Sequence, residues 1–250
     1  MPEEICEVCG GSGWKIVEKD GISSASRCAC AALGRERRIE ERANIPPLYG
    51  TASLDSFVLP ADNPAGREGL GKVMMQVKGF VREFPLAPKP GLMFMGPPGT
   101  GKTHLAVAVL RDLIHRGFEG VFFDFQNLLD RIRSGYDQAS GTMDKEAYRT
   151  ALDTHILLLD DLGAHRITDW VEDTVTSIVT YRCNHKKPTI VTTNLSDPDL
   201  GVKRVPGVGD DVHSKYLLEE RVGMRARSRL GEMCTLIKMP YVEDYRMRRK

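Results

Sequence analysis

The chain has 250 residues, of which 41% are hydrophobic, and its 35 Lys and Arg against 34 Asp and Glu leave a formal net charge of +1. This length fits one soluble globular domain of ordinary size, with a real core and a small appendage. No run of about 18 apolar residues occurs, and the acidic start "MPEEICEVCGG" has no apolar core segment, so neither a membrane span nor a secretory signal is expected and the reading is cytoplasmic.

Four of the six cysteines fall in the first thirty residues, in "CEVCGGSGW" and "RCAC". Cys6 and Cys9 have the Cys-x-x-Cys spacing that lets two thiolates on a tight turn chelate one tetrahedral ion. Gly10, Gly11 and Gly13 suit the positive φ angles of such a turn. Cys28 and Cys30 form a closer pair that can reach the same ion. A reducing compartment argues against two disulfides, and no strand-helix pattern marks a redox pair. Residues 1–34 therefore read as a knuckle built on structural Zn²⁺, too short to fold on a core of its own. Cys183 and Cys234, far along the chain, read as buried packing residues.

Residues 35–50 read as a helical linker. Its charged part predicts a helix from about Arg35 to Arg42, which "IPP" at Ile45 to Pro47 ends. The main domain is then expected over residues 51–250.

"LMFM", Leu92 to Met95, is an apolar strand leading into "GPPGTGKTHL". Beyond it, Leu105, Ala106, Val109, Leu110, Leu113 and Ile114 recur with helical spacing. Strand, glycine loop and helix form the context in which Gly-x-x-x-x-Gly-Lys-Thr binds nucleoside triphosphate. Gly96, Gly99 and Gly101 let successive N–H groups point inward around phosphates, and the helix start adds its positive end. Lys102 is expected to reach the β and γ phosphates and the Thr103 hydroxyl to ligate Mg²⁺. Pro97, Pro98, Thr100 and His104 complete the run assigned to nucleotide contact.

"VFFDF", Val121 to Phe125, reads as a further strand, and Ser134 to Tyr148 as a polar loop between helices. In "HILLLDDLG" the apolar run Ile156 to Leu159 suits a strand covered on both faces of a parallel sheet. Asp160 at its end is expected to position Mg²⁺, and Asp161 to orient or deprotonate the attacking water. Trp170, Val171, Val175, Ile178 and Val179 mark a helix with one apolar stripe. Thr189 to Thr193 read as another buried strand, with Asn194 at its end to bond a terminal phosphate or the water; a simple turn residue is the bland alternative. This alternation predicts an α/β domain with a parallel sheet.

Basic residues gather from Arg221 onward, as Arg221, Arg225, Arg227, Arg229, Lys238, Arg246, Arg248, Arg249 and Lys250. Such an excess can meet nucleotide or nucleic-acid phosphate. Arg221, Arg225 and Arg229 are spaced to share one helix face, where they could complete a neighbouring protomer's nucleotide site. Local pairing with Glu219 and Glu220 on a solvated surface is the competing reading.

Taken in order, "IPPLYGTASLDSF", "GPPGTGKTHL", "ILLLDDLG", "TTNLS", "RARSRL" and "DYR" resemble the AAA+ helicase loaders of the DnaC/DnaI type and the related IstB-type transposition ATPases, from about Ile45 to Arg246. The resemblance implies a P-loop NTPase fold: a five-stranded parallel sheet flanked by helices, without a full C-terminal lid and with a small N-terminal zinc module. It implies that Asn194 is sensor 1, Arg229 the arginine finger, Arg225 its companion at the interface and Arg246 sensor 2. Asp161 stands where many AAA+ enzymes have the longer Glu, which implies slow hydrolysis. ATP, Mg²⁺ and Zn²⁺ are the implied cofactors. The implied partners are a hexameric DnaB-type replicative helicase, single-stranded DNA and further copies of the chain, with no membrane. For the adenine, Ile45, Tyr49 and Phe57 are candidates, with ordinary core packing the alternative.

Three functions remain open at this point. They are a helicase loader, a transposition helper with the same ATP core, and an ATP-gated scaffold with little turnover.

Overall fold

The computed structural model describes residues 6–10, 12–19, 22–30, 39–134, 143–165, 168–199 and 217–247. Near the start, β1 (Trp14–Lys19) and β2 (Ile22–Arg27) form an antiparallel hairpin whose register sets Trp14 opposite Arg27. Helical residues 39–42 follow, and the remainder of the expected linker helix, at 35–38, lies outside the described residues.

The main domain is a five-stranded sheet with neighbour order β4-β5-β6-β3-β7, parallel throughout. Its strands are β3 (Gly91–Met95), β4 (Gly120–Asp124), β5 (Ile156–Asp160), β6 (Thr189–Thr193) and β7 (Cys234–Lys238). Every residue of β3 and β6 is buried, as a parallel strand covered on both faces requires. Side chains alternate between two cores. Leu92, Phe94, Leu158 and Ile190 face one, and Met93, Met95, Leu157, Leu159 and Val191 face the other.

On the first face lie α1 (Pro64–Glu83) and α2 (Lys102–His115). Helix α1 is absent from the sequence expectations: Leu70, Val73, Val77, Phe80 and Val81 recur with helical spacing, but glycines at Gly66, Gly69, Gly71 and Gly79 lower its helix propensity. Its start is conventional: the Asn63 side chain accepts from the Gly66 amide at 2.8 Å, and Pro64 opens the first turn. On the second face lie α3 (Phe125–Ser134), α4 (Met143–Asp153), α5 (Asp169–Asn184), α6 (Leu218–Val222) and α7 (Met224–Met233).

Three sequence expectations need correction. The polar stretch Ser134 to Tyr148 is helical from Met143 onward, because Ala147 and Ala151 supply a buried face that its polar composition conceals; residues 135–142 lie outside the described residues. Arg221 does not share a helix with Arg225 and Arg229. Gly223, at φ +80°, ends α6 and starts α7 in a new direction. Finally, only Cys234 of the two distal cysteines is buried; Cys183 is partly exposed beside Arg229 and Glu232.

One buried residue ties this face together. Arg182 on α5 is fully buried, and among the described residues it forms no ion pair with a carboxylate. It donates instead to the carbonyls of Ala151, Leu152, Thr154, His155 and Pro188 at 2.6–3.1 Å, and to Thr189 Oγ1 at 2.9 Å. The positive fork thus meets the carbonyl end of α4, where a cation is favoured, and fastens that helix to the start of β6.

Strand order decides where a ligand can sit. The chain leaves β3, crosses to β4, returns through β5 and β6, and comes back on β3's other side as β7. The reversal opens a crevice at the carboxyl ends of β3 and β6.

Candidate functional site

The loop after β3 lies at this crevice. Gly96, Gly99 and Gly101 all have positive φ, at +151°, +71° and +90°, so the backbone folds into an arc that substituted residues resist. Gly101 is the left-handed N-cap from which α2 starts. Lys102 is 6% exposed, and its Nζ donates to Gly96 O at 2.8 Å and Pro97 O at 2.7 Å. Burial pulls its pKa down to about 8, against the opposing charges of Asp161 and Asp160. Thr100 Oγ1 braces the arc by donating to Pro97 O at 2.9 Å.

Asp160 and Asp161 end β5. The neighbouring strand supplies Thr192, whose hydroxyl donates to Asp160 Oδ1 at 2.6 Å and accepts from the Asp161 amide at 2.9 Å. Asp161 adopts φ +55°, uncommon for a residue with a side chain. Its Oδ1 accepts from Asn194 Nδ2 at 2.7 Å. Burial raises the pKa of both acids. For Asp160, hydrogen bonding from Thr192 and Thr103 opposes the rise, and for Asp161 the charge of Lys102 does so.

The tertiary structure therefore joins Lys102, Thr103, Asp160, Asp161 and Asn194 in one cluster. Asp160 and Thr103 offer hard oxygen donors suited to Mg²⁺, and a cation there would relieve the repulsion that Asp161 and Asp124 exert on Asp160. Thr192 escaped the sequence reading. Its signal was a set of hydroxyl residues, Thr189, Thr192 and Thr193, inside a strand read as buried.

Around the loop, Tyr49 is close enough to Asp160 and Thr103 for both to act on its phenol. Phe57 covers Gly101 and meets the His104 ring at a centroid distance of 5.6 Å. The His104 side chain is engaged with Ser53 O at 3.1 Å and Ser56 Oγ at 3.3 Å, so it anchors the preceding turn to α2. Ile45 packs at the edge of the first core.

Arg225, Ser228 and Arg229 line a surface groove between α5 and α7. Arg229 Nη1 pairs with Glu232 at 2.7 Å. Among the described residues, neither Arg225 nor Arg229 contacts the chain's own glycine loop or acid pair. Arg227, between them, is spent on Asp197 through two bonds at 2.7 and 2.8 Å. Arg246 lies instead beside the loop, in a short 3-10 turn over Tyr245–Met247, and pairs with Asp244 at 2.9 Å. Arg248, Arg249 and Lys250 fall outside the described residues.

The four amino-terminal cysteines converge: their sulfurs all lie within 4.8 Å of one another. Cys6 and Cys28 sulfurs are 3.8 Å apart and those of Cys9 and Cys30 3.3 Å. A tetrahedral Zn²⁺ with sulfurs at about 2.3 Å separates them by about 3.8 Å, so the tetrad fits the ion. The Gly13 amide points at Cys9 Sγ from 3.3 Å. Hydrogen bonding to Cys9 and Cys28 holds the Cys30 thiol well above its usual range, the penalty for crowding thiols that a dication would remove.

Comparison with known proteins gives concordant results. Residues 86–201 match the family model for the IstB-like ATP binding protein. The replicative helicase loader DnaC of Escherichia coli (strain K12) is 26% identical over 176 residues, which cover 68% of this chain and 69% of that protein. A putative ATP-binding protein of insertion sequence IS5376 from Geobacillus stearothermophilus is 30% identical over 131 residues, or 52% of this chain and 49% of that one. The crystal structure of a DnaC helicase loader superposes with a TM-score of 0.62 at 32% identity, covering 78% of this chain and 100% of the other.

Proposed function

The chain belongs to the IstB-like ATP-binding proteins and is homologous to the DnaC and DnaI helicase loaders; from that premise we propose that it is an ATP hydrolase that loads a hexameric replicative helicase onto single-stranded DNA. The observation that carries the reading is the 32% identity to a DnaC helicase loader across the whole of that chain.

The residues divide the chemistry among them. Gly96, Pro97, Pro98, Gly99, Thr100 and Gly101 cradle the phosphates of ATP, and Lys102 turns from its two carbonyls toward the β and γ phosphates. Thr103 and Asp160 would hold Mg²⁺, which offsets charge on those phosphates when bound. Asp161 accepts the proton of the attacking water, a task helped by a pKa raised through burial. Asn194 fixes the Asp161 carboxylate and with it the direction of attack. Arg229 leaves Glu232 and stabilises the transition state in a neighbouring copy, with Arg225 beside it. Self-association and turnover are thereby coupled.

In this reading Cys6, Cys9, Cys28 and Cys30 hold Zn²⁺ and stiffen a hairpin that leaves Trp14 and Ile16 exposed, at 52% and 79%, as a surface for a protein partner. The similarity to an insertion-sequence ATP-binding protein supports one second reading, a transposition helper built on the same ATP core. The test is to ask whether the purified protein, with MgATP, deposits its host's replicative helicase on circular single-stranded DNA, and whether Lys102→Ala protein fails. Co-purification from the host with a transposase in place of a helicase would overturn the loader.

A further inference from the structure

Beyond β7 the chain runs as a strap, residues 239–247, over the mouth of the glycine loop, and it rests on a bed of glycines. Met239 N donates to Met95 O at 2.8 Å, and a Cβ on Gly96 would lie 2.7 Å from Met239 Cβ. On α1, a Cβ on Gly69 would lie 2.8 Å from Pro240, and one on Gly66 2.6 Å from Val242. These approaches account for Gly66 and Gly69 in a helix that glycine otherwise weakens. The strap reaches the loop at Gly99, whose carbonyl accepts from the Tyr245 amide at 3.1 Å. A Cβ on Gly99 would run into the Asp244 carboxylate.

Asp244 thus places an anion against the phosphate loop. The same carboxylate holds Arg246 through three contacts: its backbone N at 2.9 Å, Nε at 3.0 Å and Nη2 at 2.9 Å. Lys102 feels both charges, and Asp161 feels that of Arg246. The guanidinium is therefore within electrostatic reach of the two residues that would bracket a terminal phosphate, but its fork is taken by an acid two residues away.

We propose that Asp244 is an internal competitor of the terminal phosphate: it holds Arg246 at the lip of the loop, and an incoming triphosphate must take the guanidinium from it. A dianionic phosphate is a stronger partner for an arginine fork than an exposed carboxylate. The exchange discriminates ATP from ADP, because ADP lacks the phosphate that would win the guanidinium. It also couples nucleotide state to the strap, which carries Tyr241, Tyr245 and Met247 exposed on the surface. This inference rests on the ATP-binding reading of the loop and adds a regulator to it.

Calorimetric titration of the full chain with MgATP and with MgADP tests it, using Asp244→Asn, Arg246→Ala and the double variant. Releasing an exposed pair should tighten MgATP binding by Asp244→Asn about two- to fivefold, with MgADP changed less. Arg246→Ala should weaken MgATP binding, and Asp244→Asn should add nothing in that background. A gain that persists without Arg246 would overturn the proposal, since Asp244 would then act as a plain charge. Unchanged or weaker MgATP binding by Asp244→Asn, with an unaltered melting temperature, would overturn it too. If that variant melts lower, Asp244→Ser in the same comparison decides. Failure of the unaltered chain to bind MgATP at all would instead sink the nucleotide reading, and this one with it.

Discussion

The Asn194 side-chain amide donates to Asp161 Oδ1 at 2.7 Å, joining residues 33 positions apart that directly follow neighbouring strands. Asp161, in a left-handed backbone conformation, thereby has one carboxylate oxygen committed to that amide. Asn194→Ala should lower ATP turnover about a hundredfold, the scale of removing one positioned donor at a reaction centre, while MgATP affinity changes little. Steady-state hydrolysis alongside equilibrium binding separates the two; an equal loss in both would remove Asn194 from the chemical step.

Lys102 gives a pH signature. In the folded chain burial brings its pKa to about 8, against an ordinary value of 10.5. Binding polyphosphate needs the charged ammonium, so MgATP affinity should fall about tenfold per pH unit above about 8. Binding near pH 8.5 should take up protons, seen as a calorimetric enthalpy that varies with buffer ionisation heat, and Lys102→Arg should show no such uptake. For stability the sign is reversed. Between about 8 and 10.5 the unfolded chain holds more protons, so this residue's contribution to stability rises with pH across that window.

Arg229 should act across an interface. Arg229→Ala is expected to lower turnover about a thousandfold, the lower end for an arginine finger, with the isolated chain's MgATP affinity within about twofold of the original. Mixing Arg229→Ala with Lys102→Ala protein should restore part of the activity, because an intact loop then meets an intact guanidinium. Two inactive proteins that stay inactive when mixed would refute a shared site.

Arg182 is a stability prediction. Removing it leaves five carbonyls, those of Ala151 and Pro188 in buried bonds and the rest in part-buried ones, without this donor, so Arg182→Met should destabilise by about 3–5 kcal/mol in urea unfolding. Arg182→Lys should recover little, since one ammonium cannot reproduce a planar fork that reaches both α4 and β6.

The cysteine tetrad should retain about one Zn²⁺ per chain by atomic absorption, and Cys28→Ser should lose it. Neither core cluster contains a hairpin residue. The melting temperature of the ATP-binding domain should therefore shift by no more than a few degrees.

Local signals accounted for much of this. Strands β3 and β5 were legible as short, unbroken apolar runs, and β6 as a short β-branched run, the forms that buried parallel strands take. The glycine loop was legible because its spacing is dictated by phosphate geometry. The break at Gly223 was not, since spacing cannot express a change of direction, and α1 was passed over despite the helical spacing of Leu70, Val73, Val77, Phe80 and Val81 because four glycines lower its propensity. The hydroxyl of Thr192 belongs with the acid pair only because β5 and β6 are neighbours in register.

Which atoms can cradle a phosphate, ligate a cation or chelate zinc was written in residue type and spacing, since those chemistries depend on local backbone shape and donor identity. Which acid Asn194 holds, which carbonyls Arg182 fastens and which loop Asp244 lies against were settled by strand order and by the path of residues 239–247. Contacts of that kind join segments tens to more than a hundred positions apart, and packing of the two cores, with no short pattern to announce it, brings them together.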